Sequence, residues 1–234
     1  MVRSNRNAAL GTFALVVLLA LGGVGYRLLQ PDQVGSEGAR LVQEMGVHPG
    51  QTLADVGAGD GEWSLLLAST VGPSGKIYST EVDGYKVHRL QQRSRAAEFG
   101  NIEVIRGNQE KTGLKADCCD GILLRRVYHH FEHPHVMLAD LRRALKPSGV
   151  LAVIDFNPTG RFSRSNVPSF RHGHGVPIDT ATREIQAAGF EEVRRVAPWT
   201  DWDATYLLLF RRPSAPSRDS GLRAPVAPAG GNSH

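Results

Sequence analysis

Short apolar runs alternate with amphipathic stretches from about residue 50 to residue 212. Thr52–Val56, Lys76–Val82, Ile102–Ile105, Cys119–Leu124 and Val150–Phe156 have strand length. The last, VLAVIDF, is almost unbroken, as a parallel strand covered on both faces requires. Helical spacing of apolar positions falls between them, over Gly61–Val71, Tyr85–Phe99 and Pro134–Leu145, the last stopped by Lys146-Pro147. Asp179 stands where it would cap a further helix running to Ala188 before Gly189. Glu191–Val196 and Thr205–Arg211 predict a closing antiparallel edge. Such alternation predicts an α/β fold, a mostly parallel sheet with helices on both faces. No repeat of fixed period interrupts it.

The two ends depart from this pattern. Residues 7–26 carry no charge, and Ala8–Tyr26 (AALGTFALVVLLALGGVGY) is long enough, at about 1.5 Å per residue, to cross a hydrocarbon layer. Two readings stand, an uncleaved anchor and a cleaved signal segment with Ala20 and Gly22 as a weak processing site. Arg3 and Arg6 precede the run and Arg27 follows it, so the charge bias predicts a cytoplasmic N-terminus and a domain on the far side. Residues 213–234, rich in Pro, Ser, Gly and Ala, read as a disordered tail. The chain therefore divides into a membrane or signal segment at 1–35, a folded domain at 36–212 and a tail.

With 27 Lys plus Arg against 23 Asp plus Glu, the 234-residue chain has a net charge of +4. Three Arg and one Asp lie in 1–35, and two Arg and one Asp in 213–234, so the domain itself carries only +1. That balance argues against general nucleic-acid binding. Cys118 and Cys119 are adjacent; on a strand they would face opposite ways, as two half-buried small hydrophobes rather than a disulfide framework or zinc site. His172 and His174 have no carboxylate or cysteine at a familiar ligand spacing, so no metal is expected.

In a parallel sheet, ligands bind beyond the carboxyl ends of the strands, where strand order reverses. The first strand runs into Asp55-Val56-Gly57-Ala58-Gly59-Asp60-Gly61, where absent side chains let a ligand approach the backbone. A dinucleotide fingerprint would need a glycine at Glu62, and Asp55 beside the loop would repel a pyrophosphate while suiting a cationic amino group. Glu81 closes the second strand, where a carboxylate can accept from ribose hydroxyls.

At these residues the chain resembles the class I S-adenosylmethionine-dependent methyltransferases, in particular a branch of small methyltransferases. Asp55–Gly61 is similar to their first motif, Glu81 to their ribose-binding acid, Val127-Tyr128-His129-His130-Phe131 to their fourth-strand segment, and Leu145-Lys146-Pro147-Ser148-Gly149 to the turn before their fifth strand. The resemblance covers roughly 36–212. It implies a Rossmann-like sheet of seven strands with the last reversed, and S-adenosyl-L-methionine as cofactor. Gly57, Ala58, Gly59 and Gly61 would form the turn under it, Asp55 would lie near its amino acid end, and Glu81 would hold its ribose. Asn108 and Gln109 would flank the adenine, although the family usually has an acid there; the Asn108 amide oxygen would accept from the adenine amino group.

Methyl transfer from a sulfonium is an in-line displacement, so positioning dominates and a general base is optional. His129 and His130 are the candidates for that base, or are imidazoles at a loop-to-helix start. Arg125 and Arg126 stand where this branch tends to have an uncharged residue and an aspartate. They suit an acidic substrate, or else are solvated or paired with Asp120 or Glu132. The stretch 157–177 would cover the pocket and select substrate. The expected activity is methyl transfer to a small-molecule or lipid-like, membrane-associated acceptor. The alternative is a non-catalytic binding module retaining the fold, favoured by the outward topology. A nicotinamide-dependent oxidoreductase is disfavoured by Asp55 and Glu62. Neither the acceptor nor the oligomeric state is written in the chain.

Overall fold

The computed structural model describes residues 33–97, 99–158, 175–202 and 204–214. The apolar N-terminal segment, His172 and His174, most of the 157–177 stretch and nearly all of the expected tail lie outside the described residues. Among the described residues, no helix is long and apolar enough to cross a membrane.

In chain order the elements are α1 (Gln33–Met45), β1 (Thr52–Val56), α2 (Glu62–Val71), β2 (Lys76–Glu81), α3 (Gly84–Ala96), β3 (Ile102–Arg106), β4 (Cys119–Arg125), a 3-10 turn at Tyr128–His130, α4 (Pro134–Ala144), β5 (Leu145–Phe156), α5 (Ile178–Ala187), β6 (Glu191–Val196) and β7 (Thr205–Arg211). The strands form one sheet in the order β3-β2-β1-β4-β5-β7-β6. All pairings through β5 are parallel, and β7 runs antiparallel to both β5 and β6. The reversed strand is therefore interior, and β6 forms the edge. Burial agrees: every residue from Thr205 to Phe210 is buried, whereas β6 is largely exposed.

The period of two along each strand builds the two cores. Leu53, Ile77, Leu123, Ala152, Ile154, Leu207 and Leu209 meet Leu41 and Met45 of α1 and Trp63, Leu67 and Val71 of α2. Ala54, Val56, Ile122, Leu124, Leu151, Val153, Leu208 and Phe210 meet Met137, Leu138 and Leu141 of α4 and Ala181 and Ile185 of α5. Order reverses between β1 and β4, which opens a crevice beyond their carboxyl ends.

Three local expectations are corrected. Asp179 is not the cap of α5: Pro177 holds that position, Asp179 falls in the first turn, and the Ile178 amide donates to Asn157 Oδ1 at 3.0 Å. Strand β5 begins at Leu145 rather than Val150, directly after α4, and its pairing with β4 shifts register between Cys119 and Gly121. Cys118 and Cys119 do not face opposite ways: Cys118 precedes β4, and the two sulfurs are joined in a vicinal disulfide.

Candidate active site

A cavity of about 510 Å³ occupies the crevice, a size suited to a small organic ligand. Its wall follows the sheet: Asn108 and Gln109 after β3, Glu81 at the end of β2, Gly57 and Gly59 after β1, and Arg126, Val127 and His130 after β4.

The turn after β1 is pinned by the Gly57 and Ala58 amides, which donate to the Thr80 carbonyl at 2.9 and 3.0 Å. Gly57 has φ +73°, and a Cβ there would lie 2.5 Å from Val127 Cγ2, so this glycine is required by packing. Gly59 has φ +56°, and an added Cβ would meet nothing within 4 Å. It borders the cavity, so its missing side chain leaves room for a ligand.

Glu81 is 6% exposed and its carboxylate is fixed by three amides. Oε2 accepts from Gly59 at 3.1 Å, and Oε1 accepts from Val82 at 2.8 Å and Asp83 at 3.2 Å. A carboxylate offers about four lone-pair sites, so a remaining one on Oε2 is available to a hydroxyl donor. This ready-oriented acceptor beside an open glycine fits the ribose of a nucleoside cofactor.

Asn108 borders the cavity, but its amide oxygen already accepts from the Glu110 and Lys111 amides at 2.9 and 2.8 Å. The expectation that this oxygen receives the adenine amino group is corrected: the turn uses it, and the amide NH2 is the group left to donate.

Asp55 also differs from the expected geometry. It shares a strand face with Leu53, so its side chain turns toward α2, where its Oδ2 accepts from Ser64 Oγ at 2.6 Å. Ser79 Oγ in turn donates to Ser64 Oγ at 2.8 Å. Asp55 is 3% exposed and is not part of the cavity wall. Burial raises its pKa from 3.8 to about 6, against the lowering effect of the Ser64 hydrogen bond. Ala58 and Gly61 shape the turn without bordering the cavity.

The paired histidines separate. His130 lies on the cavity wall, while His129 is 1% exposed and lies behind it. His129 Nδ1 is 2.8 Å from Asp155 Oδ1, and the His129 amide donates to Asp155 Oδ2 at 3.1 Å. Asp155 was missed at the level of sequence, although a lone acid near the end of an otherwise apolar strand is a signal that a partner waits there.

Arg125 and Arg126 also separate. Neither Asp120 nor Glu132 pairs with Arg125: its Nε and Nη2 donate to Glu37 at 3.3 and 3.0 Å, and its guanidinium covers the Trp63 ring at 4.6 Å. Glu37 Oε1 also accepts from Trp199 Nε1 at 2.9 Å. Arg126 instead borders the cavity.

A crossover sheet with an interior reversed strand and a glycine turn after β1 define the fold of a class I, S-adenosylmethionine-dependent methyltransferase domain. Residues 54–153 match the family model described as "Methyltransferase domain". Demethylmenaquinone methyltransferase of Listeria welshimeri is 28% identical over 131 residues, 54% of this chain and 51% of that protein. The corresponding protein of Geobacillus kaustophilus is 24% identical over 115 residues, 49% of each chain. The chain thus spans about half the length of these relatives. Among solved structures, a SAM-dependent methyltransferase from Aquifex aeolicus superposes with a TM-score of 0.65 at 23% identity, over 80% of this chain and 96% of that one. The [4+2]-cyclase SpnF superposes at 0.63 and 15% identity, over 76% and 80%. These likenesses concern the fold.

Proposed function

We propose that this protein transfers a methyl group from S-adenosylmethionine to a small, membrane-associated acceptor. The observation that carries the reading is Glu81, locked by three amides at the wall of the cavity and directly joined to the open Gly59. S-adenosylmethionine supplies an electrophilic methyl group on a sulfonium. Glu81 accepts a ribose hydroxyl, the Asn108 amide donates toward the base, and Gly59 leaves space beneath the ligand. Residues following β4 then border the acceptor, with His130 positioned to take a proton from it.

The membrane half of the proposal rests on the uncharged segment 7–26 and on the relatives, whose name specifies demethylmenaquinone. Anchoring of the chain concentrates such an acceptor near the cavity. Calorimetric titration of the full-length protein with S-adenosylmethionine tests the first half; absence of binding at high micromolar concentration refutes it. Flotation with liposomes tests the second, since a protein that stays with the aqueous fraction is not membrane-associated through this segment.

A further inference from the structure

The cations that border the cavity are Lys86, Lys111 and Arg126, and Arg126 is the one that follows β4. It has φ +53°, a backbone conformation that costs a branched or long side chain energy and that persists where the surroundings enforce it. Its amide is held by the Ile154 carbonyl at 2.7 Å, which fixes the unusual turn. Among the described residues no carboxylate pairs with its guanidinium. The two acids whose charge reaches it are engaged elsewhere, Glu37 with Arg125 and Trp199, and Asp155 with His129. Partial burial and the neighbouring Arg125 both disfavour its charge, and the opposite charge of an anion arriving there offsets them.

An aromatic surface adjoins this cation. The Arg126 guanidinium is 5.9 Å from the centroid of the Trp202 ring, and Trp202 is 5.0 Å from Phe156. Trp202 is 41% exposed, unlike Trp63 and Trp199, which are buried in the core. Guanidinium and carboxylate match as planar forks, and an indole face favours a flat ring.

Resting on the methyltransferase reading, we propose that Arg126 and Trp202 form the acceptor subsite and that it selects an aromatic carboxylate, the carboxylate on Arg126 and the ring beside Trp202. The side of the sheet supports this, because Arg126 leaves β4 whereas the nucleoside-binding residues leave β1, β2 and β3.

The test uses the full-length protein saturated with S-adenosylhomocysteine, titrated with 3,4-dihydroxybenzoate and, separately, with 3,4-dihydroxybenzamide. The acid is expected to bind at least tenfold tighter than the amide. Arg126→Gln should bring the two affinities within about twofold, and Arg126→Lys, which keeps the charge without the fork, should leave an intermediate preference. Equal affinity for acid and amide in the wild-type protein, no binding of either, or a preference that survives Arg126→Gln overturns the subsite. Should a variant fail to fold, the wild-type comparison alone decides. Prior titration with S-adenosylhomocysteine separates the two readings: its failure removes the methyltransferase proposal itself, whereas its success with no acid preference removes only the acceptor subsite.

Discussion

The Glu81 carboxylate accepts a hydrogen bond from the Gly59 amide at 3.1 Å, which joins the acid that closes β2 to the turn that leaves β1. With Glu81 as the proposed ribose acceptor, cofactor affinity and turn geometry are expected to be coupled. Glu81→Ala removes the hydroxyl acceptor and leaves three amides without their partner. It is expected to raise the S-adenosylmethionine Kd by about tenfold or more, in line with the loss of charge-assisted hydrogen bonds worth about 1.5–3 kcal/mol. Calorimetry on the variant checks this; an unchanged Kd would remove Glu81 from the site.

The two turn glycines should fail in different ways. Gly57→Ala drives a methyl group to 2.5 Å from Val127 Cγ2 at φ +73°, so it should destabilise the fold by about 1–3 kcal/mol. Gly59→Ala meets no protein atom and should cost about 1 kcal/mol, from its positive φ alone, while filling ligand space. Urea midpoints and cofactor titrations on both variants are expected to rank stability loss as Gly57 over Gly59. The opposite ranking would assign the open space wrongly.

Asp55 sets a pH dependence. Its folded pKa of about 6 lies above the ordinary 3.8, so the folded state holds the proton more tightly than the unfolded state does. The favourable contribution is full below pH 3.8 and is lost as pH rises through about 6. At neutral pH the buried carboxylate then costs about 3 kcal/mol as an order of magnitude. Asp55→Asn keeps an acceptor for Ser64 and should be more stable than the wild type at pH 7.5, with the difference shrinking toward pH 4.5. Parallel stability curves across that range would show that burial of this charge is not what governs it.

Glu37 joins α1 to the far end of the chain through Arg125 and Trp199. Glu37→Ala leaves the Trp199 indole N–H without its acceptor and a guanidinium without its counter-charge. A loss of about 2 kcal/mol is expected, discounted because the Arg125 side chain is 24% exposed. Arg125→Met in the Glu37→Ala background should lose little more, and additive losses in such a double-mutant cycle would contradict the coupling.

The two adjacent imidazoles should divide stability from turnover. His129→Ala strands Asp155 in the interior and is expected to lower the thermal midpoint, with a cost of about 3 kcal/mol or more. His130 borders the cavity, and His130→Ala should instead lower kcat for an oxygen or protonated-amine acceptor. A His130 variant with full turnover would leave proton removal to solvent.

The alternation of apolar runs and helical stretches determined most of the architecture by itself, because period and length are local properties of the chain: six of the seven strands and the helices α2 to α5 fall within a few residues of their expected positions, and β5 ends where expected but begins five residues earlier. The glycine turn and Glu81 were equally legible, since a backbone approach and a strand-end acid are written in residue type and spacing. Tertiary structure alone decided the partners. Glu37 lies 162 residues from Trp199 and 88 from Arg125, a separation no local pattern spans. It decided that Asp55 turns to Ser64 although the same alternation that buries Leu53 already pointed there, that the Asn108 oxygen serves its own turn, and that His129 and His130 face different surroundings. Hydrogen bonds and charges are satisfied by whatever group the fold brings within about 3 Å, and that proximity exists only once the sheet is assembled.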